Sequence, residues 1–237
     1  MAEAFPGGRR PRAVVLPSAA ELEHDRARAL ALTPVSRETI ARLNRFVALL
    51  LEWQQTTNLI AESTLPKLWT RHIADSLQLL RLAPEARIWV DLGAGAGFPG
   101  LVIACALVDR ADITVHLVES HGRKCAFLRE ASHVTDVPTV LHCERIEQFT
   151  QRFSGPVEVV TARALAPLPA LLKLAAPLLK TGAIGLFPKG QDVAAELTAA
   201  SKCWKIESVV EPSVTSPASG IVVVRKLTSR AARPSRG

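Results

Sequence analysis

The 237-residue sequence has no apolar run long enough to cross a bilayer: the longest, Leu101 to Val108, is far short of the roughly 20 residues a spanning helix needs. Arg9, Arg10 and Arg12 near the amino terminus have no apolar stretch behind them, so a secretory leader is not expected. Cysteine is sparse, with Cys105, Cys125, Cys143 and Cys203 forming no C-x-x-C pair and no histidines standing at metal-ligand intervals. These absences lead us to expect reduced thiols, no metal, no membrane partner and a cytoplasmic location.

A charge excess within the body of the chain is also missing. The net charge is +7, but Arg9, Arg10 and Arg12 against Glu3 hold two of these charges, and Arg225, Lys226, Arg230, Arg233 and Arg236 hold the other five. The pI near 9.7 therefore says little about the folded surface. Two readings of the ends stay open, a nonspecific attraction to RNA and a solubilising function alone. What is present is a composition of 48% hydrophobic and 22% charged residues, enough to bury a core. We expect flexible basic tails at 1–20 and 228–237, a helical extension at 21–86 and a cofactor-binding domain at 87–227.

Periodicity fills in this division. Ile40, Leu43, Val47 and Leu50 step at helical spacing behind Ser36, an N-cap type, and predict a helix to about Gln55. A second amphipathic helix is predicted after Pro66, with Leu68, Trp69, Ile73, Leu77 and Leu80 on one face, ending at Leu82-Ala83-Pro84. Short apolar runs then alternate with helical stretches. Residues 88–92, 113–118, 139–141, 157–161 and 183–187 read as strands, and 99–108, 122–133, 168–179 and 191–201 as helices. This order implies a parallel sheet with helices on both faces, an α/β class of Rossmann-like architecture. The runs 204–210 and 221–224, set apart by Pro212, Pro217 and Gly220, predict a closing strand pair.

Asp91-Leu92-Gly93-Ala94-Gly95-Ala96-Gly97-Phe98-Pro99-Gly100 lies between the first strand and the next helix. Glycines suit a tight turn approached closely by a ligand, and the helix start behind them offers free N–H groups. Gly95, Gly97 and Gly100 also satisfy the dinucleotide pattern G-x-G-x-x-G, so an NAD(P)-dependent oxidoreductase is one alternative. Asp91 at the strand exit would repel a pyrophosphate; it suits the sulfonium and amino group of S-adenosylmethionine. Glu119, at the end of the next strand and 22 residues beyond Gly97, is placed to hydrogen-bond both ribose hydroxyls. D-x-G-x-G-x-G with this downstream acid points to a class I S-adenosylmethionine-dependent methyltransferase.

Absences narrow the target atom. After the fourth strand stands Thr161-Ala162-Arg163-Ala164, without the Asn/Asp-Pro-Pro-aromatic motif of exocyclic-amine enzymes and without an acid to accompany Lys189 in ribose methylation. No cysteine has the proline neighbour typical of a pyrimidine carbon-5 nucleophile. A target needing no deprotonation, such as a purine ring nitrogen, remains.

The ordered motifs resemble the ribosomal RNA small subunit methyltransferase G family, also called glucose-inhibited division protein B. They are Trp53 with Asn58-Leu59, Arg71-His72-Ile73-x-Asp75-Ser76-Leu77, the glycine loop, Glu119-Ser120 with Arg123-Lys124 and Phe127-Leu128, Arg145-Ile146-Glu147, Ala162-Arg163-Ala164, and Lys189-Gly190, covering roughly residues 44–191. The resemblance implies methylation of a guanine N7 in the 530 loop of 16S rRNA, free or in the small ribosomal subunit, using S-adenosylmethionine; we expect a monomer. It implies that Gly93 and Phe98 frame the methionine end of the cofactor, that Ile146 offers backbone hydrogen bonds to the adenine, and that Glu147 accepts from its amino group. Asp91, Gly95, Gly97, Glu119 and Arg163 complete the expected cofactor set. No catalytic base is required, and Arg163, Lys189, Asn58 and His72 are the candidates for positioning. His72 and Asp75 share a helix face and are placed to hydrogen-bond each other, while Arg123, Lys124 and Lys189 are candidate phosphate contacts. A noncatalytic RNA-binding protein on the same fold is the other alternative.

Overall fold

The computed structural model describes residues 14–230. At its centre is one seven-stranded sheet of order β3-β2-β1-β4-β5-β7-β6. The strands are β1 Ile88–Leu92, β2 Thr114–Glu119, β3 Val140–Cys143, β4 Val159–Thr161, β5 Ile184–Lys189, β6 Trp204–Pro212 and β7 Gly220–Ser229. The first five run parallel, and β7 runs antiparallel to both β5 and β6, the expected closing pair. Strand order reverses on either side of β1, which lies between β2 and β4; in open α/β sheets the crevice outside the carboxyl ends of such strands takes the ligand.

Helices α1 Ala19–Leu32, α2 Arg37–Gln54, α3 Asp75–Leu77, α4 Gly100–Leu107 and α5 Gly122–Thr135 accompany one face. Leu43, Phe46, Leu101, Val102 and Phe127 belong to its core. The opposite face is covered by α6 Ile146–Arg152, α7 Leu168–Leu179 and α8 Val193–Ala200, with Phe149, Leu171, Leu172 and Ala200 buried beneath them. The predicted helix behind Ser36 is α2, and the Ser36 hydroxyl accepts from the Thr39 N–H at 3.1 Å.

Three expectations need correction. The single helix predicted after Pro66 is instead a chain of tight and wide turns: 3₁₀ over Glu62–Lys67, π over Trp69–Ala74, α over α3, and 3₁₀ again over Gln78–Leu82. Pro66 has no N–H to continue a regular ladder. The buried Asp25 carboxylate on α1 accepts instead from the Trp69 and Thr70 amides, at 2.7 and 3.1 Å. Second, the expected tails reach too far inward: α1 includes Ala19 and Ala20 behind the Ser18 cap, and β7 includes Thr228 and Ser229. Expectations for residues 1–13 and 231–237 fall outside the described residues. Third, α1 and the seven-residue α6 were not singled out from periodicity. Among the described residues, no helix is long and apolar enough to cross a membrane.

Candidate active site

A cavity of about 670 Å³ opens over the carboxyl ends of β1 and β2. Its floor is the glycine loop, through Gly93, Ala94, Gly95, Ala96 and Phe98; Glu119 and Ser120 form one wall, and Ile146 and Glu147 a second. Leu59, Ile60, Ala61, Thr64, Arg71 and His72 close it from the N-terminal extension, and Arg163, Ala164 and Leu165 complete the rim after β4. The size lies within the usual range for small-molecule sites.

Backbone geometry explains the loop. The Gly93 and Ala94 amides donate to the Val118 carbonyl at 2.9 and 3.0 Å, pinning the turn to β2. Gly93 and Gly95 have φ of 72° and 57°, a left-handed conformation that glycine adopts without strain. A Cβ on Gly93 would lie 2.8 Å from Leu165 Cδ1, across the cavity's edge, whereas one on Gly95 would meet only the Gly93 carbonyl at 3.7 Å.

Glu119 sits deep, with Oε2 accepting from the Gly95 amide at 3.0 Å and Oε1 from the Ser120 and His121 amides at 2.7 Å each. Three fixed N–H donors hold the carboxylate in place, and its remaining lone-pair capacity faces the cavity it lines. It thus supports the loop and fits a hydroxyl donor such as a ribose. We expect Glu119→Ala to weaken S-adenosylmethionine binding by about 1–3 kcal/mol, the range for hydrogen bonds to a charged group. Calorimetry checks this, and unchanged affinity would mean that the ribose is held elsewhere.

Two expected cofactor contacts point the other way. Asp91 is buried beneath the loop, its Oδ2 accepting from the Gly100 amide and its Oδ1 from the Thr161 hydroxyl, both at 2.9 Å. Burial raises its pKa to about 6, against these hydrogen bonds and the nearby Arg163 charge. Its carboxylate ties β1, β4 and the start of α4 together and does not line the cavity. Gly97 also faces inward, where a Cβ would meet Leu101 Cβ at 3.0 Å and Phe46 Cζ at 3.3 Å. Gly100 is turned inward too, against Leu117 and Asp91. Of the three glycines in the dinucleotide pattern, only Gly95 meets the cavity, so the oxidoreductase alternative loses the close backbone approach it requires.

Arg163 is the hinge of the rim. Its Nη1 donates to the Arg71 carbonyl at 3.0 Å, its Nη2 hydrogen-bonds His72 Nδ1, and its guanidinium lies 5.4 Å from the Phe98 ring centre. Its Nε is buried without a protein partner among the described residues. Ala164, at φ 53°, makes the sharp turn that follows. His72 also meets the Thr64 hydroxyl through Nε2 at 2.8 Å, and its ring packs 4.9 Å from that of Phe98. The predicted His72–Asp75 hydrogen bond is absent: Asp75 accepts from Thr215 and Gln78 instead.

Burial, then the Arg163 and Arg71 charges, lower the His72 pKa to about 3. A histidine whose folded pKa is depressed binds its proton less tightly when folded, so protonation favours unfolding. Its contribution to stability is complete above 6.5 and is lost as the pH falls toward about 3. We expect the free energy of unfolding to fall over that window with a slope approaching roughly 1.4 kcal/mol per pH unit from this group, read as a falling melting temperature. A His72→Gln chain should show a shallower acid dependence, and an identical profile would remove His72 as its source.

Lys189 stands apart from this cavity. Its ammonium donates to the Ala166 carbonyl and pairs with Glu196, both at 2.8 Å, bracing β5 against α8. The expected phosphate contact there is already neutralised. Asn58 is exposed beside the covering segment and Arg123 is exposed on α5; neither lines the cavity, whereas Lys124 does. Sequence reasoning missed the cover at Leu59 to Thr64 and its support, Gln54, whose buried amide accepts from the Leu59 and Ile60 N–H groups at 3.0 Å and donates to the Ile60 carbonyl at 2.9 Å. A glutamine at the end of the apolar face of α2 was the available signal.

The sheet order and the loop over its switch point define the class I S-adenosylmethionine-dependent methyltransferase fold. Solved structures agree: an O-methyltransferase from Bacillus cereus in complex with SAH superposes with TM-score 0.56 at 14% identity, over 86% of this chain and 97% of that one. A ribosomal protein L11 methylase from Lactobacillus delbrueckii subsp. bulgaricus superposes with TM-score 0.51 at 14% identity, over 66% and 79%. The family model for rRNA small subunit methyltransferase G matches residues 39–225, wider than the motifs alone had indicated. Ribosomal RNA small subunit methyltransferase G of Bradyrhizobium sp. (strain BTAi1) is 60% identical over 200 residues, 84% of this chain and 90% of the relative. The protein of that name from Methylobacterium sp. (strain 4-46) is 54% identical over 205 residues, 86% and 96%. The chain belongs to the ribosomal RNA small subunit methyltransferase G family and is an S-adenosylmethionine-dependent methyltransferase.

Proposed function

We propose that this chain, as a monomer without a metal ion, methylates N7 of a guanine in the 530 loop of 16S rRNA. The cofactor supplies an electrophilic methyl group. The chain's own residues fit it: the Gly93–Gly95 turn leaves room for its methionine end, Glu119 keeps lone-pair capacity for a ribose, and Ile146 and Glu147 stand where an adenine would be read.

The observation that carries the N7 reading is the state of the groups around the rim. Guanine N7 has an in-plane lone pair and no hydrogen, so the protein has no proton to remove and its task is positioning. His72, the obvious base, has both ring nitrogens engaged and a pKa near 3. The lining also sets four cationic side chains, Arg71, Lys124, Arg145 and Arg163, against two carboxylates, a local excess that suits a phosphate backbone even though the body of the chain is neutral. Ribosomal RNA is also the substrate named by the relatives.

The test is transfer of a labelled methyl group to deproteinised 16S rRNA and to small-subunit particles, with the label located by strand scission at 7-methylguanosine. Label in the 530 loop is the expected result. Label at a ribose, an exocyclic amine or another RNA overturns the reading.

A further inference from the structure

A second cavity, of about 440 Å³, adjoins the first and shares Arg71, Arg163, Ala164 and Leu165 with it. It has no glycine loop. The polar groups it does not share are Asp75 and Gln78 from the N-terminal extension, Ser213 and Ser219 from the connection between β6 and β7, and Lys189 with Glu196, which are paired with each other. We propose that this cavity receives the target guanine, with Asp75 accepting hydrogen bonds from its N1–H and 2-amino group and Arg163 and Arg71 flanking its O6. The assignment rests on the guanine-N7 reading above and says how that guanine is told from other bases.

Guanine's own geometry links the two cavities. O6 lies on the same edge as N7, and the 2-amino group lies across the ring from it. With N7 turned toward the cofactor cavity, O6 falls at the junction, where both arginines stand. The N1–H and 2-amino donors then point to the far side, the side that Asp75 lines.

The Asp75 carboxylate is built to meet them. Its Oδ1 accepts from the Thr215 hydroxyl and from Gln78 Nε2 at 3.2 Å, which fixes the group. Gln78 is itself held, its Oε1 accepting from the Val214 amide at 2.9 Å. Oδ2 has no protein partner among the described residues. A half-buried carboxylate with one oxygen anchored and the other free in a cavity suits a pair of N–H donors. Burial raises its pKa, against the Thr215 hydrogen bond, then the Arg163 and Arg71 charges and the Gln78 hydrogen bond. Adenine has an acceptor at N1 and no 2-amino group, so it would set lone pairs against Asp75. Rejecting a base that leaves a buried polar group unpaired is the stronger form of discrimination.

The test compares small-subunit particles reconstituted with 16S rRNA carrying either guanosine or inosine at the methylated position. Inosine keeps N7, O6 and N1–H and lacks only the 2-amino group. The wild-type chain should favour guanosine over inosine about ten- to hundredfold in kcat/KM. In Asp75→Asn that preference should shrink to within about threefold, with S-adenosylmethionine affinity unchanged by calorimetry. Equal use of both particles by the wild type overturns this assignment and leaves the N7 reading standing, a result that needs no variant to fold. An undiminished preference in Asp75→Asn also overturns it, because the 2-amino group is then read elsewhere. Absence of any 7-methylguanosine in the guanosine particle overturns the N7 reading and the assignment together.

Discussion

Gly93→Val should abolish S-adenosylmethionine binding while leaving a folded protein. Two effects combine at this position. The backbone stands at φ 72°, where a β-branched residue is a genuine outlier, and a Cβ there already lies 2.8 Å from Leu165 Cδ1. Gly93 and Leu165 both line the cofactor cavity, so the added side chain fills space between two of its walls. Backbone strain of about 1–3 kcal/mol is tolerable for a domain of this size and should lower the melting temperature by about 2–4 °C per kcal/mol. The loss of affinity should exceed about a hundredfold. A folded variant that binds the cofactor with wild-type affinity would mean that the cofactor does not rest on this turn.

Arg163→Lys should lose about ten- to a hundredfold in kcat/KM despite conserving charge. The guanidinium simultaneously bonds the Arg71 carbonyl and His72 Nδ1 and lies over Phe98. A lysine ammonium is a point charge on a flexible stem and cannot hold two fixed donors while presenting a flat face. Arg163 is expected from the sequence among the cofactor contacts and positioning residues; in the structure its guanidinium holds Arg71 and His72 at the junction of the two cavities. The effect should therefore fall on turnover more than on cofactor affinity, with a melting temperature only a few degrees lower. Methylation by this variant at the wild-type rate would make Arg163 a rim charge only.

Much of this site could be read in the sequence because it depends on local order. The span Ile88–Leu92 is β1 as predicted, the glycine loop follows it, and Glu119 ends β2. Orientation was not legible. A run of alternating glycines does not say which face the ligand; Gly97 and Asp91 turn inward against the neighbouring Leu101 and Gly100 amide, and against Phe46 and Thr161, which distant parts of the chain bring to them. Lys189 looked like a free cation at a strand end until α8 brought Glu196 against it. The pitch of the segment after Glu62 was hidden for a different reason. Its turns change pitch from 3₁₀ to π to α, so no single period describes them, and Asp25, more than 40 residues away, accepts from the Trp69 and Thr70 amides that open the π turn. The short α6 spans too few residues for its period to register.

Methylation of guanine N7 in the 530 loop is tested most directly by mass spectrometry of nucleosides and oligonucleotides from 16S rRNA of cells with and without the gene for this chain. One 7-methylguanosine in the 530 loop is expected, present with the gene, lost without it, and restored by the wild-type chain but not by Gly93→Val. A 530 loop carrying the same 7-methylguanosine in both cell types would contradict this expectation.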